Sequence, residues 1–326
     1  MTRVHVAGAA GYAASEIIRL VHNHPQLELG ALESASHAGS PIAEHVPSLR
    51  SFERAFDPPG TLDATVAAGD AVVFAGGAEL ARATIPPLLG RNVRVIDLSD
   101  AFRLHAHANG AVYGLPERYR DALRGASFVA NPGCYPTATL LALLPLAGFA
   151  SDIAQLIVDA KSGVTGAGRT PVTANLFAEV DGDVRAYGLE GHRHEPEIVQ
   201  ELAAAGIGAP LVFTPHVVPL RRGMLADCYV LFERVPDDDA LRAVYERAYG
   251  ASRFVRVLPP KRAPSVVGVA GTNDAEIHLS RKGRVVRVIS AIDNLGKGAA
   301  GNALQNLNLM LGLPEESALD DRAARV

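Results

Sequence analysis

The chain has 326 residues, 48% hydrophobic and 20% charged, with a formal net charge of −4. That length suits one large or two medium globular domains with a sizeable core, and the acidic balance argues against a nucleic-acid-binding surface. Two cysteines in unlike surroundings exclude a disulfide framework and fit a reducing, cytoplasmic setting.

The start, MTRVHVAGAAGY, runs straight into a strand-like segment and lacks the long apolar stretch of a signal peptide. RVHVAGAAGY reads as a strand and a Gly-rich turn, and SEIIRLVHNH as a helix that His24-Pro25 ends. LELGALES, DAVVFAG, VRVIDLS and ASFVANPG read as four further strands, with helical patterns such as ELARATIPPLLG between them. Strand–helix alternation predicts an α/β, Rossmann-type dinucleotide-binding domain over residues 1–133. The longest apolar run, LLALLPLAGFA, is broken by Pro145 and reads as a buried helix, too short to span a membrane. From there the pattern changes to longer strands, with DDALRAVYERAYG as the clearest helix. Alternation in AEIHLSRKGRVVRVIS, broken at Lys282-Gly283, predicts an antiparallel hairpin. Residues 134–296 are therefore expected to form an α+β domain with an antiparallel or mixed sheet. The segment 297–326, opening GKGAAGNALQNLNLMLG, is expected to pack back on the first domain.

Four stretches carry chemistry. GAAGYAA follows the first strand: Gly8 makes the turn, Gly11 lets backbone N–H groups approach a pyrophosphate, and Tyr12 and Ala13 begin the helix. After the second strand, Glu33 suits a ribose hydroxyl, whereas the hydroxyls of Ser34 and Ser36 suit a 2′-phosphate. Cys134, in VANPGCYPTAT, ends a predicted strand and opens a predicted helix, where N–H groups and the dipole stabilise a thiolate. A lone cysteine is more often buried and structural, as Cys228 in LADCYVLF is read, but this position favours a nucleophile. In GHRHEPEI, His192 and His194 share a face if the segment is extended, with Arg193 pointing away. No third ligand accompanies them, so no metal is expected; a general acid/base near the thiol is the economical reading. Gly191 gives His192 freedom to approach the sulfur, so His192 is preferred as proton shuttle. KSGVTGAGRTP, with Ser162 and Arg169, reads as a ligand loop, and Arg103 in SDAFR as a phosphate fork. For either arginine a surface salt bridge is an equal alternative. His22, His24 and His37 read as surface residues.

These residues resemble the N-acetyl-γ-glutamyl-phosphate reductase family of arginine biosynthesis, related to aspartate-semialdehyde dehydrogenase. VANPGCYPTATLLALLP is similar to its active-site signature, and VIDLSDAFR, VYGLPE, KSGVTGAGR, HRHEPEI, FTPHVVPLRRGML and AIDNLGKGAAGNALQNLNLMLG to its other marked segments. The resemblance implies Cys134 as nucleophile, the histidine pair as acid/base, Asn294 beside the nicotinamide and Arg103 facing the displaced phosphate. It implies NADPH-dependent reduction of N-acetyl-L-glutamyl 5-phosphate through a Cys134 thioester, NADP as cofactor, and a homodimer or homotetramer touching neither nucleic acid nor membrane. The departures lie in the cofactor loops: Ala10, Ala13 and Ala14 replace Ser, Thr and Gly, Ala35 an arginine, and Ser40 a lysine. Two alternatives remain at this stage: the sister reductase of carrier-bound aminoadipyl phosphate, and a dinucleotide sensor without chemistry.

Overall fold

The computed structural model describes residues 1–319 and divides into two compact units, residues 1–132 with 299–319, and residues 133–298. The first holds six strands: β1 (Thr2–Ala7), β2 (Leu27–Glu33), β3 (Ala71–Phe74), β4 (Arg94–Asp97), β5 (Val112–Tyr113) and β6 (Phe128–Ala130). Their order is β2-β1-β3-β4-β6-β5 and every pairing is parallel. Helices α1 (Tyr12–His22), α2 (Ala78–Leu89) and α3 (Pro116–Leu123) connect them. Helix α1 buries Ala14, Ile17, Ile18 and Val21, the i, i+3, i+4, i+7 stripe of an amphipathic helix. Helix α2 lays Ala81, Ile85 and Leu88 into a core with Val72, Phe74, Val95 and Phe128. Each Val, Ile, Leu or Phe among them, removed from water, contributes about 1.5–3 kcal/mol. The chain closes this unit with the helix Gly301–Met310, preceded by a π-helical turn over Gly296–Ala300. Of the expected return segment, residues 320–326 lie outside the described residues.

The second unit carries a seven-stranded mixed sheet. Its strands are β7 (Ile153–Gly163), β8 (Arg185–Ala186), β9 (Leu211–Val218), β10 (Met224–Phe232), β11 (Val255–Val257), β12 (Ala275–Lys282) and β13 (Val285–Ile292), in the order β11-β12-β13-β10-β7-β9-β8. The β12–β13 hairpin turns at Gly283, which takes a φ of +59°. Helices α4 (Cys134–Leu143), α5 (Glu195–Ala204) and α6 (Asp238–Tyr249) belong to this unit. Helix α4 packs on β10 and β13, and residues Tyr135–Leu143 are all buried. With the 3-10 turn that follows, the helical stretch Cys134–Asp152 has the length and apolarity of a membrane span, contrary to the expectation from Pro145. Its burial on the sheet marks it as a core helix. The opposite face alternates half-buried Ile157, Leu225, Tyr229, Leu231 and Ile289 with charged residues.

Candidate active site

Cys134 is the first residue of α4 and Gly133 its N-cap, at φ −66°, ψ 156°. A helix start directs its first N–H groups outward; Pro136 removes one of them, leaving those of Cys134 and Tyr135. The turn is fixed on both sides. Gly133 N–H donates to the Glu197 carboxylate (2.9 Å), and the Gly133 carbonyl accepts the N–H and hydroxyl of Thr137, each at 2.9 Å. Glu197 is 1% exposed and lies in the first turn of α5. His194, its N-cap, is also buried, and its imidazole covers Gly133 so closely that any Cβ there would collide with the ring. Gly298 closes the other side: its Cβ would lie 2.9 Å from that of Cys134.

The thiol opens on a cavity of about 310 Å³, also lined by Tyr135, Ser162, Tyr187, His192, His194, Arg185 and Arg193. Tyr187 donates to the Tyr135 hydroxyl (3.2 Å), which donates to the His216 carbonyl (3.0 Å). Burial raises the pKa of the Tyr187 phenol, and the nearby Cys134 adds to the rise. His192 and His194 come together with ring centroids 4.8 Å apart. They do so through a turn rather than an extended segment: His194 N–H donates to His192 Nδ1 at 3.1 Å. Burial, with the Arg193 guanidinium alongside, pulls the His192 imidazole down to about 4.

The other expected residues fall in different places. Ser162 lines the cavity and its hydroxyl donates to the Gly163 carbonyl (3.1 Å). Asn294 is 2% exposed and its amide bridges the Gly223 N–H (2.7 Å) and the Thr165 hydroxyl (3.0 Å), so it braces the loop over residues 163–168. Arg169 is half-buried and is not among the lining residues. Arg103 lies in the first unit, 7% exposed, with Nε on the Asn131 carbonyl and Nη2 on the Leu98 carbonyl, both at 2.8 Å. These two bonds tie the ends of β4 and β6 and fix the guanidinium plane. Cys228 is wholly buried and its thiol is pushed far up by desolvation. His24 is not at the surface: it is 5% exposed and bonds to Asn308 at 3.1 Å. His37 is half-buried, edge-on to His45. Arg193, expected to point away, lines the cavity.

Sequence reasoning passed over Glu197, Arg185, Tyr187 and Gly298. Glu197 had a usable signal, since it stands three residues after His194 and so shares its face at a helix start. Arg185 and Tyr187 sit in a segment, VRAYG, without any motif.

A dinucleotide fits the first unit. Gly8 takes a φ of +76°, and a Cβ there would lie 2.9 Å from the Ala75 carbonyl group, so only glycine allows this close crossing of β1 and β3 ends. Gly11 caps α1 without a side chain, leaving an eleven-residue helix start, Tyr12 and Ala13 included, to meet an anion. The Glu33 carboxylate accepts the Gly60 N–H, and burial raises its pKa. Ser34 is buried, its N–H on the Asp57 carbonyl, while Ser36 is exposed and pairs with His37 at 2.7 Å. Among the described residues, no cluster of three or more metal-ligating side chains occurs.

Residues 3–126 match the family model described as semialdehyde dehydrogenase, NAD binding domain, and residues 134–294 the one described as semialdehyde dehydrogenase, dimerisation domain. The chain is 42% identical to the N-acetyl-gamma-glutamyl-phosphate reductase of Moorella thermoacetica over 98% of each chain. It is 44% identical to the protein of the same name from Laribacter hongkongensis, again over 98% of each. Among solved structures, aspartate semialdehyde dehydrogenase II of Vibrio cholerae, complexed with ASA, superposes with a TM-score of 0.75 over 96% of this chain and 98% of that one. Its 18% identity speaks for the fold alone. Two domain models spanning most of the chain and end-to-end identity above 40% lead to one conclusion: the chain belongs to the N-acetyl-γ-glutamyl-phosphate reductase family.

Proposed function

We propose that the protein reduces N-acetyl-L-glutamyl 5-phosphate to N-acetyl-L-glutamate 5-semialdehyde with NADPH, releasing phosphate, in arginine biosynthesis. The observation that carries this reading is a thiol on the first turn of a buried helix, with an imidazole packed on the glycine before it and two arginines in the same cavity. Cys134 attacks the acyl carbon, the C–O bond to phosphate breaks, and the leaving phosphate takes the electron pair, giving a thioester. When bound, the dinucleotide supplies the hydride that converts the thioester carbon to a thiohemiacetal. His194 takes the thiol proton before attack and returns a proton to the reduced oxygen. Its ring lies nearer the turn than the sequence preference for His192 allowed, and a ring at about 4 is a poor base at neutral pH. The N–H groups of Cys134 and Tyr135 receive the oxyanion. His194 takes the hydroxyl proton back as the C–S bond breaks, and collapse of the thiohemiacetal releases the aldehyde and restores the thiolate.

Gly8, Gly11, Tyr12 and Ala13 hold the pyrophosphate. Glu33 is engaged at the Gly60 turn, which supports Ser36 with His37 as the 2′-phosphate site and NADP over NAD. Arg103, fixed in plane by two carbonyls, receives the departing phosphate, and Arg185 and Arg193 the substrate carboxylate. The half-buried face of the seven-stranded sheet, with its mixed apolar and charged residues, joins two copies as a homodimer. Two free thiols suit a reducing cytoplasm. The test is spectrophotometric: N-acetylglutamate semialdehyde and NADP should yield NADPH only when phosphate is present, and Cys134→Ser should yield none. NADPH formation without phosphate, or better catalytic efficiency with NAD (giving NADH) than with NADP, contradicts the respective assignment.

A further inference from the structure

The proton transfers proposed above leave His192 without a part, yet this half-buried ring is packed on several sides by other rings. Tyr187, Tyr135 and Phe213 surround it edge-on, with centroids at 5.4, 5.6 and 5.6 Å, and His194 stands at 4.8 Å. Its Nδ1 accepts the His194 backbone N–H. An accepting nitrogen carries its lone pair, so the proton of the neutral ring resides on Nε2. A second proton would have to displace that backbone donor from Nδ1. The Arg193 cation alongside opposes it, and no carboxylate lines the cavity among the described residues. The pull of the imidazole to about 4 agrees with this geometry. With Nδ1 committed to the chain, Nε2–H is the polar edge the ring offers the cavity.

We propose that His192 is a proton-locked hydrogen-bond donor that recognises the neutral amide carbonyl of the substrate through Nε2–H and takes no part in proton transfer. The division of labour follows from charge. Arg185 and Arg193 match an anion. An uncharged donor caged by rings matches an uncharged acceptor, which costs less to strip of water than a carboxylate does. A half-buried donor of this kind discriminates against an analogue that leaves it unpaired. His192 is thus a specificity-determining residue. This inference rests on the reductase reading.

Two measurements test it. Nitrogen-15 NMR of the histidine rings in the intact protein reads the tautomer without turnover. The His192 ring should show a bare Nδ1 and a protonated Nε2 that do not change from about pH 5.5 to about pH 8.5. A titration inside that range, or the opposite tautomer, overturns the proposal. The second compares N-acetylglutamate semialdehyde with 5-oxopentanoate, which lacks the acetamido group. His192→Ala should lower the preference for the acetylated aldehyde roughly tenfold or more, His192→Gln should restore most of it with its amide N–H, and both should keep the wild-type pH profile. An unchanged preference, or loss of the limb near the imidazole pKa in either variant, overturns it. If the wild type turns over neither aldehyde, the reductase reading itself fails and the amide assignment with it, whereas the NMR result stands by itself.

Discussion

The glycines flanking the thiol are the most exacting residues of the site. Gly133 has backbone angles that any residue can adopt, so its requirement comes from the His194 ring beside it. Gly298 is required by Cys134 itself and by the Asp293 carbonyl, 3.1 Å from where its Cβ would be. Gly133→Ala and Gly298→Ala are expected to lower kcat about a hundredfold, the usual cost of moving a reacting group by about an ångström. Circular dichroism should stay native, and wild-type kcat in either variant would contradict the packing described. The two thiols should also differ. Iodoacetamide should label Cys134 at neutral pH and spare the desolvated Cys228, as peptide mapping would read; labelling of Cys228 in native protein contradicts its burial. The sequence pointed to Cys134 because proline and glycine crowd a strand-to-helix turn there. It could flag Glu197 by its spacing from His194 but not the partner, a backbone N–H 64 positions away. It also missed the turn that brings the histidines together, because period-two reasoning presumes an extended chain.

At the scale of elements, the C-terminal helix shows what periodicity misses. Every residue of Gly301–Met310 is buried, including Asn302, Gln305, Asn306 and Asn308. Asn302 and Asn306 both donate to the Gly114 carbonyl, at 2.7 and 2.8 Å, and to the Asn131 side-chain oxygen, at 2.9 and 3.0 Å. Asn306→Ala removes one of two donors to buried acceptors and should cost about 1–3 kcal/mol. Because the pair shares its acceptors, Asn302→Ala with Asn306→Ala should depart from additivity. Urea titration of the single and double variants measures both; strictly additive losses contradict a shared network. The helix itself was legible from Ala, Leu and Met at helical spacing, but its amide network depends on Gly114 and Asn131, far away in sequence. The β12–β13 hairpin was legible because alternation and the Lys282-Gly283 turn are local. Strands β5 and β8 were not: each has two residues and exists through a distant partner, Val112 on Val129 and Arg185 on Val217.

At the scale of the whole molecule, burial lowers the pKa of His5, His24 and His192 among the described residues. The Nδ1 of each accepts a backbone N–H, from Ala31, Gln26 and His194. Their folded pKa values lie below the ordinary 6.5, so below that pH the unfolded chain binds more protons. Their contribution is complete above about pH 6.5 and is lost as the pH falls toward the folded values, about 4 for His192. Buried Asp97 and half-buried Glu33, raised by desolvation, act in the opposite sense nearer the carboxylate range. The midpoint of thermal unfolding should therefore drop between about pH 7 and about pH 5; a flat or rising midpoint contradicts this. At this scale the parallel first half was legible from strand–helix alternation, and the mixed sheet from its long alternating strands. The sequence misread His24 as surface because its partner, Asn308, is 284 positions away. The thioester is the step on which the whole function turns, and it can be seen directly. Wild-type protein mixed with N-acetylglutamyl phosphate, with no dinucleotide present, should gain the mass of one N-acetylglutamyl group on the Cys134 peptide as phosphate appears, and Cys134→Ser should gain none. Phosphate release without an adduct, or an adduct on another residue, would contradict covalent catalysis at Cys134.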